Sequence, residues 1–230
     1  MRNLLIPWTK LTGDPIWNNM ASKYRIPSER QYHTIDHVVQ MYKYANNLNM
    51  TYDIELDMAI LCHDVIYDAA GNNEIRSAYE FIQAMKNATG NAIKVDIPEK
   101  LMLPFGVIKP NVVVDHINKT IDHRPLRGQD NRIILLDLFG FAIEKDRLSN
   151  YKNLLLELQG LYPDVDILDI KYNMRTVLIR ICTNIVEFTV SNEDDEYYNQ
   201  WIDIQNGMAA QISLIESELV AEVEKREKRK

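Results

Sequence analysis

Cysteine is scarce in this chain: two among 230 residues, Cys62 and Cys182, each inside an apolar stretch. A secreted disulfide scaffold needs more of them at framework spacings, so the sequence reads as two buried free thiols in a reducing compartment. Glycine and proline number 8 each, too few for long disordered linkers or a turn-rich β architecture. Positive charge is also short. Lys and Arg total 26 against 33 Asp and Glu, giving a net charge of −7 and a pI of about 5.3. General nucleic-acid binding needs concentrated Lys and Arg and is disfavoured; a small phosphorylated substrate, held by a few local cations or a metal, is not. Long apolar runs are missing too. Nothing approaches the roughly 20 residues of a membrane span, and the opening Met1–Trp8 has too short an apolar run for a signal peptide. The expectation is a cytoplasmic protein with no membrane partner; a homo-oligomer is left open.

What the sequence has is helical periodicity. Apolar residues make up 46% of the chain and recur at intervals of three and four almost throughout. Ile35, Val38, Val39, Tyr42, Ala45 and Leu48 form one stripe. Leu56, Ala59, Ile60 and His63 form another behind the acidic Asp53 and Glu55, and Ile75, Ala78, Tyr79, Ile82 and Met85 a third, with Asn72 or Asn73 as its cap. Further helices are predicted over 111–123, 131–143, 147–160, 165–187 and 192–226. Val112-Val113-Val114 is β-prone but too short to outvote its surroundings. Gly90, Pro98, Pro104 and Gly106 make about 90–110 an irregular segment. With no internal repeat and no domain boundary, residues 1–230 read as a single all-α domain whose tail, from Glu224 on, is a solvated helix end.

Chemistry concentrates in the histidines and in two aspartates. His33 and His37 are four apart, one turn in a helix. His63-Asp64 interrupts an apolar run, as Asp137 interrupts Ile133–Phe139. His116, Thr120 and His123 follow spacings of four and three. A buried Asp is costly unless paired, and two carboxylates with several imidazoles would meet that cost together by binding a cation. Mn, Fe, Co, Ni or Zn suits such donors, with Mg if water completes the shell.

The order His…His-Asp…Asp resembles the HD superfamily of metal-dependent phosphohydrolases. Within it, the chain is most similar to the branch described as predicted metal-dependent HD phosphohydrolases. That branch's Tyr-x-x-Pro-x-Arg-x-Tyr-His-x-x-x-His block appears over Tyr24–His37, and its His-Asp-x-x-Tyr-Asp element as His63-Asp-Val-Ile-Tyr-Asp68. Asn73-Glu74, Ser77-Ala78, Thr120 with His123, Leu136-Asp137-Leu138 and Tyr172-Asn-Met-Arg175 continue the likeness. The chain departs from the pattern by one extra residue between Pro27 and Arg30, by Leu135 where an acid often stands, and by a longer 90–110 segment.

The resemblance implies an HD-domain helical bundle with His37, His63, Asp64 and Asp137 as ligands of a divalent metal. It implies hydrolysis of a small phosphate ester, a nucleotide foremost, by a metal-activated water that Asp64 helps orient. Glu74 is the candidate general acid or base, or else a first-turn acid that favours its helix dipole. Arg30, His33 and His123 are candidate phosphate contacts. Tyr32 and Tyr67 either line the pocket or pack in the core. His116, Trp8, Trp17 and Trp201 read as structural, and Arg175 as holding a carboxylate in the core. Alternatives within the same likeness are a binuclear phosphodiesterase, a diiron oxygenase drawing on His116 and His123, and a non-catalytic domain that binds a nucleotide or a protein.

Overall fold

The computed structural model describes residues 8–25, 28–88, 99–103 and 106–228. The chain divides into two compact units, Met1–Ile121 and Asp122–Lys230, at a point where no shift in composition marks a boundary. The described residues are all-α, with nine α-helices, one 3-10 turn and a two-stranded ribbon. No helix among them is long and apolar enough to cross a membrane.

The first unit is built around helix α3, Ile54–Cys62. Asp53 starts it by accepting from the main-chain N–H groups of Glu55 and Leu56, 3.0 Å each, the usual way to satisfy the orphan donors of a helix N-terminus. Residues Leu56 to Cys62 are all buried. A helix apolar on every side has to be covered on every side, and α1 (Pro15–Lys23), α2 (Ile35–Asn47), α4 (Asn73–Ala88) and α5 (Pro110–Lys119) each pack on it. Each fully buried Leu, Ile or Met contributes roughly 1.5–3 kcal/mol. Helix α1 is not foreshadowed by periodicity, but its start is: Asp14 accepts from Ile16 N, and Pro15 occupies the first turn.

Within the stretch expected to be irregular lies a short antiparallel ribbon. Strand β1 (Leu101–Leu103) pairs with β2 (Gly106–Ile108), matching Leu101 with Ile108 and Met102 with Val107. Leu101, Leu103 and Ile108 turn inward, while Met102 and Val107 are exposed, the period-two alternation of a half-covered strand. Gly90, Pro98 and Pro104 lie outside the described residues. The valine triplet 112–114 is helical, inside α5. That helix stops at Lys119, short of the expected 123. The Thr120 hydroxyl donates to Ile117 O at 2.8 Å, and Pro125 disfavours helix at the residue before it.

Of the two acids in α3, Glu55 and Asp57, Asp57 is the fully buried one. It accepts from Thr9 Oγ1 (2.6 Å), Lys10 N (3.0 Å) and Tyr52 Oη (3.0 Å), which straps residues 8–11 to the core. Beside the strap, Trp8 Nε1 donates to Met50 O. Desolvation pushes the Asp57 carboxyl up, against the pull of its hydrogen bonds.

The second unit starts with α6 (Arg132–Leu138) and a 3-10 turn at Phe139–Phe141, splitting what periodicity suggests is one helix over 131–143. Then come α7 (Glu144–Leu161) and the long pair α8 (Ile167–Ser191) and α9 (Tyr198–Glu227). Ile170, Met174 and Ile215 form a core with Leu154, Leu155, Leu158 and Leu178 against it. Across the helices, Tyr151 Oη and Lys171 Nζ both donate to Glu218, 2.6 Å each. Arg175 holds Glu216 on α9 at 2.7 Å, but both are partly exposed, so that carboxylate sits outside the core. Cys62 is buried as expected; Cys182 is only half-buried.

Gly207, in the middle of α9, has the Phe141 carbonyl where a Cβ would stand. Alanine ordinarily gains about 1 kcal/mol over glycine within a helix. Here the main-chain clash opposes that gain, and Gly207→Ala is expected to destabilise by about 1–3 kcal/mol, read as a lower urea midpoint with an unchanged slope. A second expectation concerns Asp57. Asp57→Asn turns an amide N–H toward existing donors and costs about 1–3 kcal/mol in acid. A carboxyl raised in the folded state contributes stability that is full below its ordinary pKa and is lost as pH rises through the folded value. The gap between wild type and variant therefore narrows on raising pH across that window, measurable by denaturant titration at a series of pH values.

Candidate metal centre

The end of α3 carries the centre. After Cys62 the chain leaves the apolar helix through His63 and Asp64, both buried. His63 Nδ1 lies 3.0 Å from Ile60 O. A carbonyl can only accept, so the proton belongs on Nδ1 and the Nε2 lone pair faces away from the helix. Nε2 then meets Asp64 Oδ2 at 3.0 Å. An imidazole lone pair and a carboxylate oxygen repel at that separation unless a positive charge, a proton or a metal ion, joins them.

His37 supplies the third donor from the first turn of α2, also buried. Its ring centroid is 5.4 Å from that of His63. One donor atom from each of His37, His63 and Asp64 falls within 4.8 Å of the others, and among the described residues these three make the one such group. Two imidazoles and a carboxylate, buried and within reach of one another, are a donor set that could hold a metal ion.

The surroundings hold the group in place. Tyr24 Oη donates to Leu61 O at 3.0 Å. Arg30 donates from Nη1 to Asp64 O (2.7 Å) and His33 O (3.1 Å), and from Nη2 to Val65 O (3.1 Å). The phosphate-contact expectation for Arg30 meets a different geometry: a residue only 6% exposed whose outer guanidinium nitrogens are committed to main-chain carbonyls. His33 is not one turn from His37 on a helix, because α2 begins only at Ile35. Its ring instead stacks on Tyr67, with centroids 3.7 Å apart, and Tyr32 stands 4.9 Å from the His37 ring. Pro27 of the same block lies outside the described residues.

Past Asp64, the loop to α4 is closed by polar side chains. Ser77 Oγ accepts from Ile66 N at 3.0 Å. The Asn73 side chain exchanges bonds with the Asp68 main chain, 3.2 and 3.3 Å, rather than capping α4. Arg76 grips the Asp68 carboxylate at 2.7 and 2.9 Å, holding that carboxyl below its ordinary value. Glu74 is half-buried in the first turn that follows.

His116 is buried in α5. His123 and Asp137 belong to the second unit, where His123 Nε2 lies 2.8 Å from Asp137 Oδ2. His123 adopts a positive φ of 47°, rare for a residue with a Cβ.

No family model matches the chain, and neither does any curated protein or solved structure.

Tyr24→Phe removes the donor to a buried carbonyl without changing shape. It is expected to cost about 1–3 kcal/mol, seen as a lower melting temperature of the metal-free protein.

Proposed function

We propose that this chain is a metal-dependent phosphohydrolase of the HD superfamily, acting on a small phosphate ester, foremost a nucleotide. The observation that carries the reading is the approach of His63 Nε2 to Asp64 Oδ2 beside His37, three buried donors that a single cation would join. The sequence resemblance supplies the reaction class. His37, His63 and Asp64 would hold a divalent ion, which when bound would supply Lewis-acid chemistry to a phosphoryl oxygen and a more acidic water.

The chain's own residues account for the remaining needs of such a reaction. His63 is fixed in the tautomer that offers Nε2, and Asp64 adds a negative charge that favours a cation over a neutral ligand. Glu74 follows the closed loop and is the candidate proton carrier, a role that typically contributes roughly 10²- to 10⁴-fold. The stacked His33 and Tyr67, with Tyr32, offer aromatic surface suited to a planar base. His123 remains a candidate for the phosphate, and Asp137 for a fourth ligand, on the resemblance alone.

The test combines elemental analysis with a metal-supplemented screen over nucleoside mono-, di- and triphosphates, cyclic nucleotides and sugar phosphates. His63→Ala and Asp64→Ala are each expected to lose metal retention and turnover while keeping the helical far-UV signal. Asp137→Ala, measured alongside, reads the fourth ligand position. Full metal content and activity in both His63→Ala and Asp64→Ala would refute the assignment, and stoichiometric nucleotide binding with no turnover would favour a binding domain instead.

A further inference from the structure

We infer that Arg30 is a positioning residue of the metal centre, tying the segment that leads to His37 to the segment that carries Asp64; this rests on the proposed metal reading. The three donors come from two places in the chain, the start of α2 and the end of α3. Nothing in the helical hydrogen bonding of either element sets the distance between them. Arg30 does. Its Nη1 bridges His33 O and Asp64 O, and its Nη2 takes Val65 O. One rigid, planar fork therefore touches the main chain four residues before His37 and at Asp64 itself.

Aromatic rings flank the fork, with the guanidinium carbon 5.5 Å from the Tyr24 ring and 5.9 Å from the Tyr67 ring. A lysine could reach one of these carbonyls, but it lacks the fixed angle between donors that lets arginine hold carbonyls from two segments at a set spacing. Outer-shell partners of this kind orient ligands rather than bind the ion, and their loss typically weakens metal affinity by roughly 10- to 100-fold.

A purely structural cap would lower the melting temperature yet leave the assembled site unchanged, so the experiment reads the site. Co²⁺ is titrated into metal-free wild type, Arg30→Lys and Arg30→Ala, well below each melting temperature. The readouts are the dissociation constant by calorimetry and the visible d–d absorption of the bound ion. Both variants are expected to bind roughly 10- to 100-fold more weakly with an altered band. Millimolar methylguanidinium is expected to return Arg30→Ala toward the wild-type constant and spectrum. If Arg30→Ala does not fold, Arg30→Lys carries the comparison. Unchanged affinity and spectrum in a folded variant would overturn the positioning role while leaving the metal reading intact. Failure of the wild type itself to take up Co²⁺, Mn²⁺ or Zn²⁺ would remove both.

Discussion

Seven consecutive buried residues, Leu56 to Cys62, leave the last carbonyls of α3 with no water to accept from. A helix C-terminus always presents four such groups, and burying them unmet would cost several kcal/mol. Here each has a donor. His63 N reaches Ala59 O, His63 Nδ1 reaches Ile60 O, Tyr24 Oη reaches Leu61 O, and Val65 N reaches Cys62 O. Arg30 covers two buried carbonyls further along the chain, those of Asp64 and Val65. The chemistry of the centre follows from this constraint. The same contact that satisfies Ile60 O sets the His63 tautomer, and closing the helix end brings Tyr24 and Arg30 against it.

The second unit meets its constraints differently. Its long helices expose much of their length, and packing is decided by a narrow seam with polar links at the margins, such as Tyr151 and Lys171 on Glu218. One contact leaves no room for a side chain, where the turn at Phe139–Phe141 rests on α9 at Gly207. That contact explains why α6 does not continue as one helix: the chain bends to lay a carbonyl against the only side-chain-free position on that helix.

Much of this was legible in the residues. The helix at 35–47, with its apolar stripe, follows the period because burial of one face dictates it, while 54–62 is legible as an apolar run covered on every side. The pair His63-Asp64 stood out as polar at the end of an apolar run, and Asp57 carried the same signal two turns earlier without being singled out. Its donors, Thr9, Lys10 and Tyr52, are 5 to 48 residues away, and such distances leave no local trace. Helix α1 is missed by a reading based on periodicity, because its signal is a start, Asp14-Pro15, and not a repeat. The ribbon was hidden because three-residue strands give one alternation each. For Arg30, the sequence named the residue but not its acceptors, since carbonyls have no letter of their own. The approach of His37 to His63 is tertiary, and only the family likeness suggested it.

The loop between Asp64 and α4 shows how the architecture divides its labour between charged and neutral contacts. The Asp68–Arg76 pair is well exposed, and added electrolyte screens such pairs over a Debye length of roughly 8–10 Å. The Ser77–Ile66 and Asn73–Asp68 bonds involve no net charge and are indifferent to ionic strength. Because those neutral bonds bracket Tyr67, the hold on its main chain does not depend on the salt content of its surroundings.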